Sequence, residues 1–155
     1  MSRLPAPLLA LAALVFAAFA AFAQSDDPAE QIVRSIYEAG PMREEEPFTA
    51  RLRALLEAAR ARSEELAQPV AGLDFDYAIN GQDFADDTYE SVRYERLKRT
   101  DTTAEIKVTL DNGGRQTLVY SVLLEGDVWR VDEVRSTGGR GWTLSKLYEE
   151  GAATR

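Results

Sequence analysis

Apolar side chains recur every three to four positions between residues 28 and 67, and every second position in the runs between residues 91 and 134. Ile32, Val33, Ile36 and Tyr37 form one stripe with the helical period. Asp27 is placed to cap that helix, Pro28 suits its first turn, and Gly40-Pro41 ends it. Leu52, Leu55, Leu56, Ala59 and Leu66 form a second stripe, which predicts a helix from Phe48 or Thr49 to Ala67. Arg51, Arg53, Glu57, Arg60, Arg62 and Glu64 then lie outside, and Gln68-Pro69 is the stop. The stretch 72–88 is rich in Asp, Asn and Gly, and reads as a short extended piece followed by an ordered loop. The segments 91–99, 103–110, 115–125 and 128–134 read as strands. The links 100–102, 111–114 and 126–127 are short enough to make them an antiparallel meander. After Gly138-Gly139-Arg140-Gly141, the segment 143–150 reads as a short terminal helix.

The alternation also assigns faces. A two-residue turn at Gly126-Asp127 sets Leu124 against Trp129 and Val122 against Val131. Ala104, Ile106, Val108 and Leu110 join Leu118, Tyr120, Val122 and Leu124 only if the loop after Asp111 has three residues and a glycine bulge. A two-residue loop would turn them to the other face. Two helices need one apolar face to cover, so the bulged loop is expected. The outer face keeps Val119, Leu123, Val128 and Val134 among charged residues, and is a candidate homodimer surface. The predicted class is α+β: two N-terminal helices on a curved four-stranded antiparallel sheet, with a short C-terminal helix.

The N-terminus changes the picture of where the protein works. Arg3 precedes an unbroken apolar run from Leu8 to Ala23 that ends in Ala21-Phe22-Ala23. A basic start, an apolar middle and small residues at the cut site describe a secretory signal peptide. The run is shorter than the roughly 20 apolar residues of a spanning helix. Residues 1–23 are therefore expected to be cleaved after Ala23, leaving 24–155 as one periplasmic or secreted domain, free of the membrane.

The chain has a formal net charge of −8, and losing Arg3 takes this to −8 − 1 = −9. Such acidity argues against nucleic acid and anionic lipid as partners. There is no Cys and no His, which weighs against thiol chemistry, zinc sites and most hydrolase triads. Asp74, Asp76, Asp83, Asp86 and Asp87 crowd one loop, but no start point gives an EF-hand spacing. Asp side chains also close turns on backbone amides. A self-bonded loop is expected, without metal or cofactor, in which Asp83 accepts loop amides and Phe84 anchors the loop. The run Glu44-Glu45-Glu46 reads as a solvated turn. Tyr37, Tyr94, Tyr120, Trp129 and Trp142 are pocket candidates, although aromatics at strand spacing are more often plain core. Arg93, Arg96, Lys98 and Arg99 read as a solvated, protected sheet edge.

This order of elements resembles the cone fold of the nuclear-transport-factor-two-like, or cystatin-like, superfamily. The segments Leu73-Asp74-Phe75-Asp76, Gly81-Gln82-Asp83 and 127–134, with Phe48-Thr49 opening the second helix, are similar to an uncharacterised bacterial exported family, a domain of unknown function. Glu133 departs from that family's second Asp. The family implies no activity. The fold implies a candidate ligand site of Tyr37, Gln82, Asp83, Tyr120 and Trp129 at the mouth of the cone. The expected function is a non-catalytic binding or accessory domain, for a small apolar ligand or a protein partner. The alternatives are an isomerase- or dehydratase-type enzyme with Asp83 as base, and an inhibitor or immunity-type protein.

Overall fold

Asp27 starts the first helix, α1 (Pro28–Ala39), by accepting the Ala29 amide at 3.1 Å, and Gly40 closes it with φ +61°. The computed structural model describes residues 26–139 and 141–155, so the expected signal segment lies outside the described residues. A single 3-10 turn (Gly40–Met42) leads through a loop to α2 (Ala50–Leu66). Thr49 caps α2, its hydroxyl accepting the Leu52 amide at 3.3 Å. Loop 67–92 follows, then strands β1 (Arg93–Arg99), β2 (Thr103–Asp111), β3 (Arg115–Glu125) and β4 (Val128–Ser136), and finally α3 (Leu144–Ala152). The sheet is antiparallel and open, in the order β1-β2-β3-β4.

Register follows the apolar-face argument. Asp111 pairs with Arg115 around the three-residue loop Asn112-Gly113-Gly114, and Gly113 takes the left-handed φ of +64°. Ile106 then faces Tyr120 and Val108 faces Leu118, all four fully buried on one side. Helix α1 lays Val33, Ile36 and Tyr37 on that face, and α2 adds Leu52, Leu56 and Ala59. Each large apolar side chain buried this way contributes roughly 1.5–3 kcal/mol.

One assignment is corrected. Val134 was expected on the outer face, yet it is fully buried opposite Tyr120. Val122 pairs with Val131 and Ser121 with Glu133, so Asp132 is an extra residue in β4. A bulge reverses the alternation beyond it, and a period-two reading has no means of placing it. The freed Asp132 accepts the Thr49 hydroxyl at 2.9 Å and Arg51 Nε at 3.1 Å, while Phe48 bridges to Val131. The Phe48-Thr49 and Val131-Asp132 motifs are thus two halves of one staple, fixing the start of α2 to β4. Glu133 caps α3 from a distance, since it accepts the Ser145 amide at 3.1 Å while Thr143 makes no side-chain cap bond.

The outer face of the sheet is a ladder of ion pairs. Glu105 joins Lys98 at 3.0 Å and Arg135 at 3.1 Å, and Lys107 pairs with Glu95. Val119 lies in register between Lys107 and Arg135 and is buried. Aliphatic stems of long charged side chains cover apolar neighbours in this way.

Candidate functional site

The interior between α1 and the sheet is closed by a tyrosine pair. The hydroxyls of Tyr37 and Tyr120 lie 2.8 Å apart, and Tyr37 also donates to the Ala78 carbonyl at 3.0 Å. Both rings are buried, and their edge-to-face contact has a centroid distance of 6.2 Å. Burial pushes both phenols well above the ordinary tyrosine range, so they are neutral hydrogen-bonding groups. Neither ring lines any of four surface clefts formed by the described residues.

The five sequence-predicted contacts therefore fall into three places. Tyr37 and Tyr120 meet in the core. Gln82 and Asp83 are exposed on the loop, where the Gln82 amide donates to the Asp74 carbonyl at 3.1 Å. Trp129 sits beneath Arg99, whose guanidinium carbon is 4.4 Å from the ring centroid, beside a shallow groove formed with Ile32 and exposed Val128.

The expectation that Asp83 locks its loop is overturned. Its carboxylate is exposed and makes no hydrogen bond among the described residues, and only its backbone carbonyl is engaged, by Asn112 Nδ2 at 3.0 Å. Phe84 is no core anchor either: it is 47 % exposed and touches Tyr89 edge-on. The lock is Asp76, whose Oδ1 accepts the Ala78 amide at 2.9 Å and Arg43 Nη2 at 2.7 Å. Among the described residues, no group of three acidic side chains is placed to share a cation.

Asp76 belongs to a clamp that residue types alone did not single out. Arg43 donates to Asp76, to Glu46 at 3.3 Å and to the Gly40 carbonyl at 2.9 Å, and Tyr77 donates to the other Glu46 oxygen. Glu46 is thus half-buried and engaged, rather than part of a solvated turn. Burial opposes the charge on Arg43, but Tyr77, Glu46 and Asp76 outweigh it and hold the guanidinium protonated. The clamp ties loop 40–48 to loop 72–81.

The clamp is also the floor of a cleft of about 250 Å³ between α2, α3 and loop 72–77. Leu56, Leu73 and Phe75 give it apolar walls, and Arg60 and Tyr148 complete it. Tyr148 is 2 % exposed, and its hydroxyl makes no hydrogen bond among the described residues. Burial and the nearby Glu46 carboxylate raise the Tyr148 phenol, so it stays a donor. Its ring is wedged by Gly72, where a Cβ would approach Cδ1 to 2.7 Å. Arg60 is exposed and makes no ion pair or hydrogen bond among the described residues. It borders a second cleft of about 280 Å³, shared with Glu44, Glu45, Arg53 and Glu57. Sequence reasoning placed Arg60 on the outside of α2 but gave it no role, and it did not single out Tyr148. The available signal was Leu144, Tyr148 and Gly151 at helical spacing, one buried stripe of α3.

Fold and cleft together define an α+β domain with an open antiparallel sheet, a buried apolar core and a polar-floored cleft on its helical side. No family model, curated protein or solved structure matches this chain.

Proposed function

We propose that this is a non-catalytic exported binding domain, and that its ligand occupies the cleft between α2 and α3 rather than the interior. One observation supports this most. The tyrosines expected to line a binding cavity satisfy each other, whereas two groups without a hydrogen-bond or ion-pair partner among the described residues, the Arg60 guanidinium and the Tyr148 hydroxyl, belong to side chains that line one open cleft; the Tyr89 hydroxyl, also unpartnered, lies outside it. Buried polar groups are normally paired, so an unpaired donor facing a cleft marks where a guest would bond. The enzyme reading required Asp83 turned into a roomy pocket, but Asp83 stands exposed on the loop. Asp76 and Glu46 are both held by Arg43, an arrangement that leaves neither free to take a substrate proton.

The domain carries an apolar leader run, and no helix among the described residues is long and apolar enough to cross a membrane. Both fit an exported protein. The test is to incubate purified protein with small-molecule extract of the periplasmic or culture fraction, then analyse it by native mass spectrometry. A compound retained at one per chain and released unchanged supports the reading. A compound consumed in excess of the protein present contradicts it.

A further inference from the structure

Resting on the reading of the cleft as a binding site, we infer that its ligand is a small organic monocarboxylate, with the carboxylate held by Arg60 and Tyr148 and the apolar body against Leu56, Leu73 and Phe75. The charges in and around the cleft decide the sign. Glu46 and Asp76 are already taken up by Arg43, by the Tyr77 hydroxyl and by the Ala78 amide. They offer a cation little, and Arg43 is correspondingly neutralised. What remains is one guanidinium, Arg60, and one phenol donor, Tyr148. A guanidinium beside a hydroxyl donor matches the two oxygens of a carboxylate.

The same charges set its magnitude. Among the described residues, Arg60 is the one unpaired cation lining the cleft, and two carboxylates, Glu46 and Asp76, stand in its floor. A dianion such as phosphate would meet about twice the repulsion from them that a monoanion meets. The walls argue for an organic body. Leu56 and Leu73 flank the space, and Phe75 is fixed by its edge-to-face contact with Trp142 at 5.3 Å. Ligand sites combine apolar walls with a few fixed polar groups in this way. Tyr148 is pre-set rather than adaptable, because its ring is buried and packs closely against Gly72, which limits the ordering cost of binding.

Benzoate is the probe, with benzamide as its neutral counterpart and inorganic phosphate as the dianion, each titrated by calorimetry against the whole domain. Benzoate should bind at least tenfold more tightly than benzamide, and phosphate should not bind. Arg60→Gln should weaken benzoate tenfold or more with an unchanged melting temperature, since Arg60 is exposed and unpaired. Tyr148→Phe should weaken it severalfold, and Arg60→Lys should recover part of the loss. Equal binding of benzoate and benzamide, binding of phosphate, or indifference to Arg60→Gln would each overturn the inference. No benzoate binding would also overturn it, while a neutral compound retained unchanged from the extract would leave the binding-domain reading standing.

Discussion

Five aspartates of similar standing crowd residues 74–87, and the fold uses one of them as its lock. Asp76 holds the Arg43 guanidinium and the Ala78 amide, while Asp83 points to solvent. Asp76→Ala should lower stability by roughly 1.5–3 kcal/mol, because it removes charge-assisted bonds and leaves a half-buried guanidinium short of a partner. Asp83→Ala should change stability by no more than about 0.5 kcal/mol, as an exposed substitution away from any bonded group. Denaturant midpoints for the two variants read this directly, and equal shifts would contradict it. Local sequence could not separate the two residues. Each is an acid in a turn-rich stretch, and what distinguishes them is an Arg more than thirty positions upstream, in a loop with no periodicity. Glu46 was obscured for the same reason: in a run of three glutamates, its engagement depends on Arg43 and on Tyr77 from the next loop.

The elements themselves were legible where their signals are local. The Asp27-Pro28 start and Gly40 stop of α1 follow from residue chemistry within four positions, while the bulged hairpin loop at Asn112-Gly113-Gly114 follows from the apolar alternation of the two strands that it joins. The bulge at Asp132 was not legible, because it answers to the start of α2, some eighty residues away. Asp27 shows how an element end can serve a second element. Besides capping α1, it receives Arg96 at 2.7 Å and Arg99 at 3.1 Å from β1. Burial alone would raise its pKa, but the bonds from Arg96, the Ala29 amide and Arg99 outweigh burial and lower it below the ordinary 3.8. A lowered carboxyl stabilises the fold above its unfolded pKa, and that contribution fades as pH falls through the folded value. Asp27→Ala should therefore cost about 1 kcal/mol near neutral pH, and the gap from the unsubstituted protein should shrink below about pH 3.8. Chemical denaturation at a series of acid pH values measures the gap. A gap that stays constant into acid would rule out the carboxylate form as its source.

At the scale of the molecule, tyrosine burial is the widest-reaching feature. Burial raises all six phenols above the ordinary 10.0, Tyr94 to about 12. A raised acid favours the fold fully below its unfolded pKa and loses that contribution as pH rises through the folded value. Stability should thus decline above about pH 10. Tyrosinate absorbance should then rise together with loss of helical signal, rather than gradually beforehand. Independent titration of most tyrosines near their ordinary pKa, with the fold intact, would contradict the packed interior. That packing separates the two places a ligand could go. The most direct measurement is a map of backbone amide shifts on adding benzoate to isotope-labelled protein. The account predicts changes grouped at Arg60, Gly72, Leu73 and Tyr148, with Ala78, Ile106 and Tyr120 unmoved. Changes centred on Ala78, Ile106 and Tyr120 would place the ligand in the interior and contradict it.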